Sequence, residues 1–153
     1  MTTLDQTDLK ILELLQTNAR LTIKEMAKQL NLSTTPIFDR MKKLEREQVI
    51  ERYVALVNPT KVGKSLFAFV HISLKEHARP DVEAFVEQVV DFKEVMECYH
   101  VTGDADFVLK VVVVNIAAYN EFVLEKLSVV KNIGKVESRF CLSTRKYSTE
   151  VPL

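Results

Sequence analysis

The stretch LSTTPIFDRMKKLEREQVI, residues 32–50, gathers Arg40, Lys42, Lys43 and Arg46 on one short segment that opens with Ser33, Thr34 and Thr35. Ser33 is placed to cap a helix, and Pro36 falls in its first turn, where a missing N–H removes no helical hydrogen bond. Ile37, Met41 and Leu44 recur at helical spacing and form an apolar face. Thr35, Phe38, Asp39 and Lys42 fall at i, i+3, i+4 and i+7 and form a stripe roughly opposite it. One face is expected to pack and the other to stay free.

Upstream, two further helices are expected. Asp5 is a candidate N-cap with Asp8 three residues on, followed by the stripe Leu4, Ile11, Leu12, Leu15. TIKE, residues 22–25, is a capping-box pattern, and Ile23, Met26, Ala27 and Leu30 share the next face. The turn NLS carries Asn31, which tolerates left-handed backbone better than most residues, and the small Ala27 suits the close approach of the two helices. This is helix-turn-helix spacing. It would set the third helix in a DNA major groove, with Ser33, Thr34, Thr35 and the helix start near phosphates or base edges and Lys42, Lys43 and Arg46 near the backbone; Phe38, Asp39 and Arg40 complete the candidate DNA-binding set. A three-helix module that binds protein, its charges a solvated face, fits the same spacing. Phe38 suits either a thymine methyl or a place beneath a neighbouring helix.

Downstream of Val49 the period changes to two. VIERYVALV, residues 49–57, reads as a short strand, and NPTKVGKS, residues 58–65, as a linker. Strands are then expected at 66–74, 94–102, 107–114 and 135–144, with helices opening at Pro80 and running from Ile116 to about Ser128. The order βαββαβ is the ferredoxin-like pattern, in which two helices cover one face of an antiparallel sheet. The fold class is therefore α+β. A (winged) helix-turn-helix domain is expected at 1–50, a β linker at 51–64 and a ferredoxin-like domain at 65–153. The second sheet face also carries apolar residues, and a second subunit would cover it.

The whole chain, 153 residues and 47% hydrophobic, can bury a core. Its 21 basic and 21 acidic residues divide unevenly: residues 1–64 hold 11 and 8, which leaves 10 and 13 beyond. A mildly basic head precedes a mildly acidic body. No run reaches the roughly 18 apolar residues of a membrane span, and the acids in MTTLDQTDLK do not suit a signal peptide, so a cytoplasmic protein is expected. Cys98 and Cys141 lie in alternating apolar segments without CxxC spacing, which fits reduced, buried thiols rather than a disulfide framework or a metal site.

One polar cluster could hold a small zwitterion. In GDAD, residues 103–106, Gly103 would let a ligand reach backbone N–H groups, and a carboxylate such as Asp106 could pair with an ammonium; Asp104 stands beside them. Ordinary hairpin chemistry explains the same residues. His71, His77 and His100 have no metal-ligand spacing, and no metal or cofactor is expected.

Residues 4–63, with Leu4-Asp5, Asp8, LQTNAR, Leu32-Ser33, RMKKLE, Val49-Ile50, Tyr53, Pro59 and Gly63, resemble the N-terminal half of the Lrp/AsnC (leucine-responsive/asparagine-responsive, feast/famine) transcription regulators. VTGDADFVLKV, residues 101–111, resembles the family's effector-loop signature, so the likeness spans the chain. The family commonly has Gly where Asn31, Gln48 and Arg52 stand, and often an aromatic where Ala105 stands. The resemblance implies a non-enzymatic, sequence-specific regulator of double-stranded DNA, with an amino-acid effector bound at Gly103, Asp104 and Asp106. It also implies homodimers that assemble commonly into octamers. The siroheme decarboxylases, which resemble these regulators and use histidines of the sheet domain, supply an enzymatic alternative; a stand-alone amino-acid-binding protein is a second. The basic third helix argues against both.

Overall fold

The structure, a computed structural model, describes residues 3–153, and the chain divides into two units. One comprises residues 1–56 with 146–153, and the other comprises residues 57–145.

The first unit is built on α1 (Gln6–Thr17), α2 (Ile23–Leu30) and α3 (Thr34–Arg46). Both expected capping boxes form: Asp5 with Asp8, and Thr22 with Glu25, each pair satisfying exposed N–H groups at a helix start. Ser33 occupies the N-cap of α3, but its side chain makes no capping hydrogen bond. Ile11, Met26, Ile37 and Leu44 are fully buried at the centre of the three helices, with Leu12, Leu15, Ala27 and Met41 around them. Each large aliphatic side chain so buried contributes about 1.5–3 kcal/mol.

Two non-glycine residues bend the chain at the ends of the motif. Asn31 caps α2 at φ 54°, ψ 43°, and Gln48 follows α3 at φ 55°. Both are left-handed, and both stand where the resembled family commonly carries glycine. Arg52, the third such position, has no positive φ.

The strand expected at 49–57 does not form. Residues 51–58 carry no regular structure, and Val54, Leu56 and Val57 are about 60% exposed, at 59%, 62% and 64%. A period-two pattern prepares a chain for pairing but cannot supply the neighbour whose N–H and C=O groups would complete a ladder. Tyr53 is held by its hydroxyl, which donates to Glu45 of α3 at 3.1 Å.

The second unit opens with a single 3-10 turn, Pro59–Val62, capped by Asn58 and closed by Gly63 at φ 76°. Then come β1 (Leu66–Leu74), α4 (Arg79–Val90), β2 (Val95–His100), β3 (Phe107–Val113), α5 (Ile116–Glu121) and β4 (Ile133–Phe140). The sheet order is β2-β3-β1-β4, all antiparallel, which is the expected ferredoxin-like arrangement. Ala68, Val70, Ile72 and Leu74 of β1 and Phe107, Leu109, Val111 and Val113 of β3 face a core closed by Phe85 and Val89 of α4 and by Tyr119, Phe122 and Leu127.

Beyond Glu121 the helix widens into a π turn, Phe122–Lys126, and then tightens into a 3-10 turn, Leu127–Val129. The helical span is thus as expected, but its pitch changes twice. β4 stops at Phe140, short of the expected Ser143-Thr144, because pairing with β1 ends at Ala68↔Phe140. Residues 146–153, expected within the sheet domain, belong to the helical unit.

Candidate nucleic-acid interface and effector loop

On α3 the two faces separate as the spacing predicts. Ile37, Met41 and Leu44 are buried, while Thr35, Phe38, Asp39 and Lys42 are exposed, Phe38 at 49%. Ser33, Thr34 and Thr35 lie open at the helix start, where unpaired N–H groups and the positive end of the helix dipole face outward. The Lys42 ammonium sits 5.9 Å from the centre of the Phe38 ring, so cation and ring are presented together. Lys42 also reaches Glu45 at 3.2 Å, and Arg46 reaches Glu47 at 3.2 Å; both cations are largely exposed, and such pairs are weak.

Arg40 and Lys43 are placed differently from the expectation. Arg40 donates to Oδ2 of Asp5 and Oδ1 of Asp8, both at 2.6 Å, and Lys43 donates to Oδ2 of Asp8 at 3.2 Å. Asp8 is fully buried. Burial alone would raise its carboxyl, but Arg40, the Asp5 N–H and Lys43 together hold it below the ordinary carboxylate value. Asp5 is lowered too, by the Asp8 N–H first and then by Arg40, and Arg40 is correspondingly raised by Asp5 and then Asp8. These two cations face inward because α1 brings a buried carboxylate to them. No periodicity of α3 alone could have revealed it; the signal was Asp8 on the apolar side of α1.

The expected effector residues occupy the turn between β2 and β3. Gly103 has φ 115°, a conformation that L side chains rarely adopt, and the position where a Cβ would stand is open, with no atom within 4 Å. The Asp104 carbonyl accepts from the Ser73 hydroxyl at 3.1 Å. Asp106 is tied into the chain: Oδ2 accepts from the Leu74 N–H at 2.7 Å, and Oδ1 lies 3.1 Å from His77 Nε2. The Leu74 N–H, then His77, lower its carboxyl despite partial burial. The Asp106 carboxylate, expected to pair with a ligand's ammonium, has two partners within its own chain, and the one at His77, whose side chain is 63% exposed, is the more easily displaced. Sequence reading missed His77 as a member of this cluster.

His100 also lowers the Asp106 carboxyl, by less than the Leu74 N–H and His77 do. His100 stacks on Phe107 with centroids 4.7 Å apart, and His71 lies in β1 opposite Val108. Among the described residues no group of three or more His, Cys, Asp or Glu side chains could hold a metal ion, and no helix is long and apolar enough to cross a membrane.

On the sheet face away from the helices, Phe67, Phe69, Val108 and Val112 alternate with the core-facing positions. Ion pairs flank them, Lys110 with Glu97 at 2.7 Å and Arg139 with Glu137 at 2.7 Å.

Comparison with known proteins gives a consistent picture. Residues 67–151 match the Lrp/AsnC ligand binding domain, and residues 4–51 match a winged helix-turn-helix DNA-binding domain. The chain is 35% identical over 153 residues to the Bkd operon transcriptional regulator of Pseudomonas aeruginosa, covering 100% of both. Among solved structures it is similar to a transcriptional regulator of Neisseria meningitidis in complex with L-Met, at 35% identity and TM-score 0.93, covering 98% of this chain and 97% of that one. It is equally similar in shape to an AsnC family transcriptional regulator from Agrobacterium tumefaciens, at 40% identity and TM-score 0.93, covering 97% of each chain.

Proposed function

Because this chain belongs to the Lrp/AsnC family of DNA-binding transcriptional regulators, we propose that it reads duplex DNA through Ser33, Thr34, Thr35, Phe38, Asp39 and Lys42, with Arg46 on the backbone side. The observation that carries this reading is the exposed stripe of α3 set against a fully packed opposite face. A helix so presented enters a major groove, its start near phosphates and its stripe on base edges. The effector is an amino acid, the class of ligand that the Neisseria regulator holds as L-Met. The open backbone at Gly103 would accept its carboxylate, and Asp106 would take its ammonium, with His77 yielding Oδ1. The half-apolar outer sheet face supports a homodimer, and dimers would associate further, to an octamer. The protein acts in the cytoplasm without a catalytic step.

The test is a salt titration of duplex binding. With the region upstream of its own gene as probe, the logarithm of affinity should fall steeply and linearly with the logarithm of salt concentration, and Lys42→Ala should reduce that slope by about 0.9. A wild-type protein that binds no better than to unrelated duplex, or a Lys42→Ala slope equal to wild type, would count against this placement of α3.

A further inference from the structure

We propose that Arg40 and Lys43 are positioning residues that aim the recognition helix by gripping the buried Asp8 of α1, and that neither contacts DNA; this rests on the DNA-binding reading above. Asp8 is the one buried charged or polar side chain among the described residues, and it is 0% exposed. Its oxygens are fully engaged: Oδ1 takes Arg40 at 2.6 Å, while Oδ2 takes Lys43 and the Asp5 N–H, each at 3.2 Å. Arg40 uses the same nitrogen to bridge Asp5 at 2.6 Å, and Lys43 also donates to the Thr3 carbonyl at 3.3 Å. If either cation left for a phosphate, the buried carboxylate would lose one of its two counter-charges, a loss that a buried ion resists more than an exposed one.

The geometric result concerns rotation. Apolar contacts among Ile11, Met26, Ile37 and Leu44 favour burial but tolerate slippage of one helix along another, because the attraction is non-directional. Two hydrogen-bonded cations three residues apart on α3, both anchored to one carboxylate, fix the rotation and slide of α3 against α1. A single-residue rotation would turn the Thr35, Phe38, Asp39, Lys42 stripe by about 100°. The network therefore sets which side chains face outward, while Lys42 and the helix start make the contacts.

The experiment uses the full chain and its upstream duplex over a salt series, at temperatures where circular dichroism shows every variant folded. Lys43→Met and Asp5→Asn are compared with wild type, and Asn keeps the α1 cap. Leu12→Ala serves as a control that loosens the α1 core without touching the network. Positioning predicts that Lys43→Met and Asp5→Asn each lose about tenfold in affinity at fixed salt, more than the control, with an unchanged salt slope, and that Lys43→Arg restores binding. Direct phosphate contact predicts the reverse pattern: Lys43→Met flattens the slope by about one, and Asp5→Asn, by removing an acid and releasing Arg40, tightens binding. That pattern, or losses no larger than those of the control, would overturn the proposal. Failure of wild type to bind any duplex would show in the first titration and would remove the DNA-binding reading itself.

Discussion

Gln16 and Val151, 135 positions apart, hold each other through two hydrogen bonds: the Gln16 side-chain amide donates to the Val151 carbonyl at 3.1 Å, and the Val151 N–H donates to Gln16 Oε1 at 2.6 Å. One side chain thus closes a two-way clamp on the backbone of the C-terminal tail. Gln16→Ala should cost about 1–2 kcal/mol, since each net hydrogen bond contributes about 0.5–1.5 kcal/mol. Faster amide exchange in the last turn of α1 and easier tryptic cleavage after Lys146 would register it; unchanged exchange there would show that the clamp holds nothing.

Acid should act on the helical unit through Asp8. Its carboxyl lies below the ordinary value in the folded chain, so its pairing adds stability at pH above the unfolded value near 3.9 and loses it as pH falls through the folded value. The thermal midpoint of this unit should be flat from about pH 7 to 5 and fall below about pH 4. Asp8→Asn would remove the buried counter-charge of two partly exposed cations, Arg40 keeping Asp5, at a cost of about 1.5–3 kcal/mol at neutral pH. Retention of the wild-type midpoint by this variant would contradict the buried pairing.

Gln48 is strained where a glycine would not be. A left-handed non-glycine residue costs roughly 1–2 kcal/mol, so Gln48→Gly should raise the unfolding free energy by up to about 1 kcal/mol after the entropy of the unfolded glycine is counted, read as a higher denaturation midpoint. Asn31→Gly should change it less, because asparagine accepts this conformation more readily. The pair, measured in urea, tests whether φ decides the effect.

The effector loop separates shape from charge at one residue. Asp106→Ala removes the acceptor of the Leu74 N–H and should lower both stability and amino-acid affinity. Asp106→Asn keeps one oxygen for that N–H, while the charge and the second oxygen, which faces His77, give way to a neutral NH2. If the carboxylate pairs with an ammonium, calorimetric titration should show Asp106→Asn about ten- to a hundred-fold weaker at an almost unchanged thermal midpoint. Equal affinity would assign Asp106 to the loop alone.

Much of this was legible in the sequence because it was local. The capping boxes at Asp5 and Thr22, the apolar face Ile37, Met41, Leu44 and the four strands follow from spacing, and spacing is set by backbone geometry that every chain shares. What escaped was pairwise and distant. Arg40 stands among the basic residues of α3 in the sequence, but α1 brings Asp8 beneath it, and the Asp106 carboxylate meets the Leu74 N–H and His77, delivered by β1 and its following loop. Residues 49–57 alternate like a strand, yet among the described residues they join no ladder. Tail residues 146–153 had no periodicity at all; their place is fixed by Gln16.

Because the helical unit includes residues 146–153, its two parts are separated along the chain by the whole of the other unit. Recombination at the linker alone would exchange the sensor but also replace the tail that Gln16 holds. A chimaera that keeps the Gln16–Val151 clamp would need two crossovers, one near residue 56 and one near residue 145.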